Sequence, residues 1–322
     1  NQPLNNWNVS KATNMAFMFE SATSFNQPLK SWNVSNVTDM HNMFNNADYF
    51  NQPLESWDVS NVTTTSAMFW SAKSFNQPLK SWNVLGVTNM SGMFASTSSF
   101  NQSLKSWNVL GVTNMLGMFA STSSFNQPLD NWNVSKATNM SSMFDTATNF
   151  NQPLKSWNVL GVNNMSGMFA STSSFNQPLK SWDVSNVTDI NNMFHKALKF
   201  NQDLSSWKTN IDKEDYNKYT QFACGAVNYK DKAFYPRDKN NKAFTPGDLG
   251  CNNSFTNDTL HKSVNNYLQY IGKGDRKGAI MIYRDMKYWN TSEVTNMSGL
   301  FANLDYYNSL EGQSKGYYLK GV

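Results

Sequence analysis

Phenylalanine recurs at Phe25, Phe50, Phe75, Phe100, Phe125, Phe150, Phe175 and Phe200, and each is followed by Asn-Gln-x-Leu-x-x-Trp. A strict period of this size marks a repeat array, in which one supersecondary unit buries its apolar face only by stacking on its neighbours. Aligned from Asn1, the chain holds eight complete 25-residue repeats to Phe200 and a partial ninth that ends at Trp207.

In the second repeat the apolar columns are Leu29, Trp32, Val34, Val37, Met40, Met43, Phe44, Ala47 and Phe50. Trp32 and Val34 alternate as a strand requires, so Ser31 to Ser35 is predicted to be a short strand. Met40, Met43, Phe44 and Ala47 fall at i, i+3, i+4 and i+7, one face of a two-turn helix, with Thr38 and Asp39 as N-cap candidates. The expected fold is therefore an α/β repeat solenoid of the leucine-rich-repeat type. It has a parallel β-sheet on one face, short helices on the other and 25 residues per coil. A parallel β-helix is the alternative, but its coils do not call for the helical spacing.

Asn26 and Gln27 recur at the head of every repeat, and Pro28 recurs except where Ser103 and Asp203 replace it. A stacked Asn can bond the backbone of the next repeat, and Pro fixes φ at a bend. The methionines sit at helical spacing inside apolar columns and are read as core filler, not as metal or redox ligands.

The segment FNQPLKSWNVSNVTDMHNMF, Phe25 to Phe44, resembles the BspA-like bacterial surface repeats and the 25-residue surface lipoprotein repeat of mycoplasmas. The pattern covers the first 207 residues and returns in YWNTSEVTNMSGLF, residues 288–301. The resemblance implies a secreted or surface-anchored, leucine-rich-repeat-like protein tied to adhesion, with no catalytic residues to carry over.

Composition agrees with an extracellular binding scaffold. Residues 1–200 carry ten Lys and no Arg against nine Asp or Glu, so the array lacks the basic surface that phosphate backbones select. Nucleic acid is not an expected partner, and no apolar stretch is long enough to span a bilayer. The first residue falls inside a repeat, so the chain reads as a piece of a longer protein.

After Trp207 the period is lost. Residues 208–254 are predicted to form an aromatic-rich connector that holds both cysteines, Cys224 and Cys251, which in an extracellular protein are expected to pair. A zinc site is not expected, because none of the histidines His41, His195 and His261 stands at ligand spacing from a cysteine. Residues 255–322 combine the apolar stripe Leu260, Val264, Tyr267 and Leu268 with the returning repeat. They read either as the cap and start of a further array or as a C-terminal cap on the first.

No repeat stands apart by a cluster of acids, bases or nucleophiles, and Asp212, Glu214 and Asp215 read as a solvated helix start, so no enzyme, cofactor or metal site is expected. Candidate contact residues are those that break the repeat on the surface. The Ser35 column becomes leucine at Leu85, Leu110 and Leu160, each followed by glycine. Leu85 and Leu110, rimmed by Lys80, Asn83, Lys105 and Asn108, have the make-up of a small protein-contact spot. Trp70, where other repeats carry Glu20 or Asn45, is a second anchor candidate. The expected function is a non-catalytic extracellular or cell-surface scaffold that binds protein or glycan on a host or neighbouring cell. The alternative is a structural subunit of an extracellular filament, associating end to end.

Overall fold

The computed structural model describes residues 1–212, 215–219, 221–226, 228, 229, 235–244 and 264. The chain divides into two compact parts, Asn1–Leu249 and Gly250–Val322. Apart from Val264, the second part lies outside the described residues, and with it the returning repeat, the choice between cap and further array, and Cys251. Cys224 is buried.

The eight repeats lie against one another in register. All nine apolar columns of the second repeat are buried, with Trp32 the most exposed at 3%. Equivalent aromatic side chains stack into ladders through the core. Phe44 and Phe69 have ring centroids 5.6 Å apart, Phe50 and Phe75 6.0 Å, and Trp82 and Trp107 6.4 Å, all within 5° of parallel. Within a repeat, Phe44 also stacks on Phe50 at 4.0 Å. Ring pairs held this close to parallel add to the burial of their apolar area.

The backbone takes a form that the apolar pattern does not predict. The two-turn helix expected over Met40 to Ala47 is absent. In its place are consecutive i to i+3 turns: Met43 N–H donates to Met40 O, Asn45 N–H to Asn42 O and Ala47 N–H to Phe44 O. The intervening N–H groups point to the next repeat, from Met40 to Thr64 O, Asn42 to Ser66 O, Phe44 to Met68 O and Asn46 to Trp70 O. A helix over this stretch would have consumed the Phe44 and Asn46 donors internally. The break is made by left-handed residues at Asn42 (φ 54°) and Asn46 (φ 56°), and the same two columns have positive φ in every repeat. Asn, Gly and Ser dominate those columns, as a left-handed backbone favours.

The strand expected over Ser31 to Ser35 is likewise absent. Side chains alternate as predicted, with Trp32 and Val34 buried and Ser31 and Asn33 exposed. The link to the next repeat, however, runs through side chains and not through a backbone ladder. Ser56 Oγ donates to Lys30 O, Trp57 Nε1 to Leu29 O and Asn61 Nδ2 to Ser35 O. Backbone pairing of the β type is confined to single parallel bridges, one per neighbouring pair, running from Asn14 through Asp39, Thr64, Asn89, Asn114, Asn139 and Asn164 to Asp189.

The Asn column forms the ladder that its recurrence suggests. Asn126 Oδ1 accepts from Asn151 N–H at 2.9 Å and from Gln152 Nε2 at 3.0 Å, while Asn126 N–H donates to Asn101 Oδ1. The indoles form a second ladder, in which Trp132 Nε1 donates to Leu104 O and Trp157 Nε1 to Leu129 O. Each ladder ties one repeat to the next and satisfies polar groups next to the core.

The ninth repeat continues in space where the sequence loses its period. Met165 N–H donates to Asp189 O, 24 residues on, whereas Ile190 N–H donates to Lys218 O, 28 residues on. The difference is a four-residue insertion between Trp207 and Lys218. Beyond it, Phe194 N–H bonds Phe222 O and Lys196 N–H bonds Cys224 O, and positive φ returns at Gln221 and Gly225. Phe222 then turns edge-on to Phe194 (81°), and Tyr229 meets Phe200 at 45°, so the parallel ring ladders stop here. A short hairpin, in which Arg237 bridges both Lys208 and Ala243, follows.

Two outcomes test this account. Asn126→Ala removes an acceptor that serves two donors and is expected to cost about 1–3 kcal/mol in urea unfolding, with Asn126→Asp retaining most of the stability. Phe222→Ala at the fully buried end of the ring ladder is expected to cost about 3–5 kcal/mol, and an unchanged midpoint would refute its role as the end of the core.

Candidate contact surface

The leucines of the Ser35 column are held at the surface by turns their own repeats make. Asn83 Oδ1 accepts from Leu85 N–H, Asn108 Oδ1 from Leu110 N–H and Asn158 Oδ1 from Leu160 N–H, at 3.1–3.2 Å. These asparagines thus spend their carbonyl oxygens on local turns, a use that strand alternation did not foresee. Leu85 is 50% exposed and Leu160 43%, while Leu110 is half-buried. Lys80 and Lys105 are exposed, and Lys80 Nζ lies 4.0 Å from Glu55.

Glycine after each leucine has a physical reason. In the polar repeats that position is often Asn, whose Nδ2 reaches back to a carbonyl of the preceding repeat, as Asn36 does to Ser10 and Asn186 to Leu160. A Cβ at Gly111 would stand 2.7 Å from Leu85 O, so here the two backbones approach too closely for a side chain. Leu85 and Leu110 accordingly sit on tightly apposed neighbouring repeats. Leu160 is separated from them by the sixth repeat, where Ser135 holds the column beside a polar surface recess lined by Asp130, Asn133, Ser156 and Asn158.

Trp70 belongs to another stretch of the repeat, the left-handed turns. Its ring lies over Gly92 of the following repeat, where a Cβ would meet it at 2.7 Å, yet the residue remains 45% exposed. Gly92 N–H in turn donates to Leu116 O. Leu116 is 42% exposed, in a column occupied by Ser66, Ser91, Ser141 and Ser166 in other repeats. Sequence reasoning singled out Trp70 but missed Leu116. Its departure from the serine column was the available signal, masked by the assumption of a helix. Tyr49, at 65%, and Leu198, at 45%, are further exposed apolar residues outside the candidate set.

The ionisable groups are mostly engaged locally. The Asp203 carboxyl is pushed down to about 2, first by the Ser205 hydroxyl, then by Ser205 N–H and Lys180. Burial pushes the Asp145 carboxyl up. Among the described residues, no three His, Cys, Asp or Glu side chains are grouped as a metal site, and no helix is long and apolar enough to cross a membrane.

Gly92→Ala will cost more stability than Gly117→Ala. Both positions have positive φ, but a Cβ at Gly117 meets only Ala120 Cβ at 3.7 Å. The shared backbone strain is about 1 kcal/mol, and the excess at Gly92, together with a shift in tryptophan fluorescence, reports displacement of Trp70.

Neither the curated proteins nor the solved structures yield a match to this chain. One family does match, over residues 1–89, 53–151, 77–172, 128–229 and 276–313. Its coverage of the array ends at Tyr229, where the structure completes the ninth repeat. The chain belongs to the repeat family described as Mycoplasma protein of unknown function, DUF285.

Proposed function

We propose that the chain is a non-catalytic binding scaffold of the extracellular space or cell surface, a repeat solenoid of the BspA-like, leucine-rich-repeat-like kind in which single bridges and turns stand where a regular sheet and helices were expected. One observation carries the reading. The repeats hold their register through the core and inter-repeat ladders, while variation falls on exposed columns and includes large apolar side chains such as Leu85, Leu160 and Trp70. A scaffold that keeps its interior largely constant, with few exchanges such as Thr65 or Ala137, and varies its surface is suited to many modest contacts with protein or glycan. Exposed Leu85 and half-buried Leu110, on neighbouring repeats that also expose Lys80 and Lys105, supply an apolar centre for a polar rim.

A filament subunit associating end to end draws less support. The stacked rings of the array, the surface that a following array would continue, are closed by the edge-on Phe222 and the tilted Tyr229.

The test is a binding screen of the chain against immobilised host-cell glycans and extracellular matrix proteins, repeated with Leu85→Ser combined with Leu110→Ser. The expected result is a bound partner whose affinity falls about tenfold or more in the double variant. Full retention of binding removes the leucine spot. Absence of binding to every glycan and matrix protein overturns the adhesion reading.

A further inference from the structure

The sixth repeat departs from both of its neighbours in the stretch around its tryptophan. The fifth and seventh read Lys-Ser-Trp-Asn-Val-Leu-Gly, at 105–111 and 155–161, while the sixth reads Asp-Asn-Trp-Asn-Val-Ser-Lys, at 130–136. The core residues of the stretch are kept, Trp132 and Val134 being buried like Trp107 and Val109. The exchanges fall on the side chains between them, and it is here that the surface recess lies, lined by Asp130, Asn131, Asn133, Ser135, Ser156 and Asn158.

Each exchange sets free a polar group that the other repeats engage or cover. In every other repeat from the second to the ninth, serine precedes the tryptophan and its hydroxyl donates to the preceding repeat, as Ser106 Oγ does to Lys80 O and Ser156 Oγ to Asp130 O. Asn131 takes the place of that serine, and among the described residues its amide has no hydrogen-bond partner. Asp130 stands between Lys105 and Lys155, yet its carboxylate forms no ion pair among the described residues, whereas Glu55 of the same column lies 4.0 Å from Lys80 Nζ. Ser135 stands where Leu110 and Leu160 stand in the adjoining repeats. Its N–H bonds Asn133 Oδ1, but its hydroxyl does not, unlike that of Ser35, which donates to Asn33 Oδ1. Asn133 and Asn158 spend their carbonyl oxygens on the N–H groups of Ser135 and Leu160, which leaves their Nδ2 donors open among the described residues.

The recess therefore gathers a carboxylate, a whole amide, two further amide donors and a hydroxyl. A calcium ion would ask for more oxygen ligands than one carboxylate and its neighbours supply, and an anion is opposed by Asp130. A sugar fits the set. Its adjacent hydroxyls each donate and accept, so a carboxylate can take a proton from two of them while amide N–H groups give to their lone pairs. Exposed Leu160, next to Asn158 on the seventh repeat, offers an apolar contact to the C–H side of the ring.

We propose that this recess binds the terminal sugar of a neutral glycan, with Asp130 accepting from a pair of ring hydroxyls and Asn131, Asn133 and Asn158 donating to them. The site rests on the binding-scaffold reading and narrows its ligand, and it is separate from the leucine spot at Leu85 and Leu110.

The full 322-residue chain is applied to an array of immobilised glycans that end in single neutral sugars, with extracellular matrix proteins alongside. The expected result is binding to a subset of the glycans, competed by the free methyl glycoside of the terminal sugar. Restoring the neighbours' residues, Asp130→Lys with Asn131→Ser and Ser135→Leu, is expected to lower that affinity about tenfold or more. The melting temperature of this variant is expected to stay near that of the wild type, because the fifth and seventh repeats already carry these residues. Asp130→Asn alone is expected to weaken binding as well, and Leu85→Ser to leave it unchanged. Should the triple variant unfold, Asp130→Asn decides, and undiminished glycan binding in it overturns the site. Glycan binding that survives the triple change in a folded chain also overturns the site, with the scaffold reading intact. Binding to matrix proteins and to no glycan does the same, and binding to neither overturns both.

Discussion

Every buried backbone donor must find an acceptor, and in this chain the donors of each repeat are shared between itself and its neighbour. Along Met40 to Ala47, one N–H closes a turn within the repeat and the next reaches across to the following one. That alternation requires two left-handed residues per repeat, Asn42 and Asn46 and their equivalents. A repeat alone would leave half of these donors unpaired, so the local conformation exists only because the neighbour is in register. The ring ladders, the Asn ladder and the indole ladder all rest on that register.

The same constraint shapes the surface. Because the core columns and inter-repeat bonds occupy most positions, buried columns change at few places, such as Thr97 for Ala47, and the larger changes fall where a side chain points to solvent and makes no link to the next repeat. Leu85 and Leu160 meet that condition, with glycine following where the backbones press together. Trp70 meets it differently. Its exposure is combined with a seat on Gly92, a left-handed glycine that leaves room for the ring. An aromatic side chain fixed on one face and open on the other loses little freedom on docking, which suits it to contact.

Much of the core was legible in the residues. The nine apolar columns, the stacked asparagines and the absence of insertions through Phe200 could all be read from the period, since a stack in register needs the same chemistry at every 25th position. The backbone form was not. The spacing of Met40, Met43, Phe44 and Ala47 is shared by a helix and by a run of three-residue turns, because both return the chain to the core at similar intervals. The sign that separates them is the Asn, Gly and Ser content of the Asn42 and Asn46 columns, weak in any single repeat. The ninth repeat was hidden for a different reason. Four inserted residues and the replacement of Phe by Tyr229 erase the pattern while leaving the inter-repeat bonds in place.

The sequence by itself determined the period, the register and the identity of the core, because these depend on which side chains avoid water and how often they recur. Only the tertiary structure decided how the backbone donors divide between a repeat and its neighbour, since that choice depends on acceptors 24 residues away. It also decided that Leu110 is more covered than Leu85, and that the Trp70 ring lies over Gly92 of the following repeat. Contacts between repeats are made by residues distant in the chain, and their exposure follows from how closely two backbones approach, which no single repeat encodes.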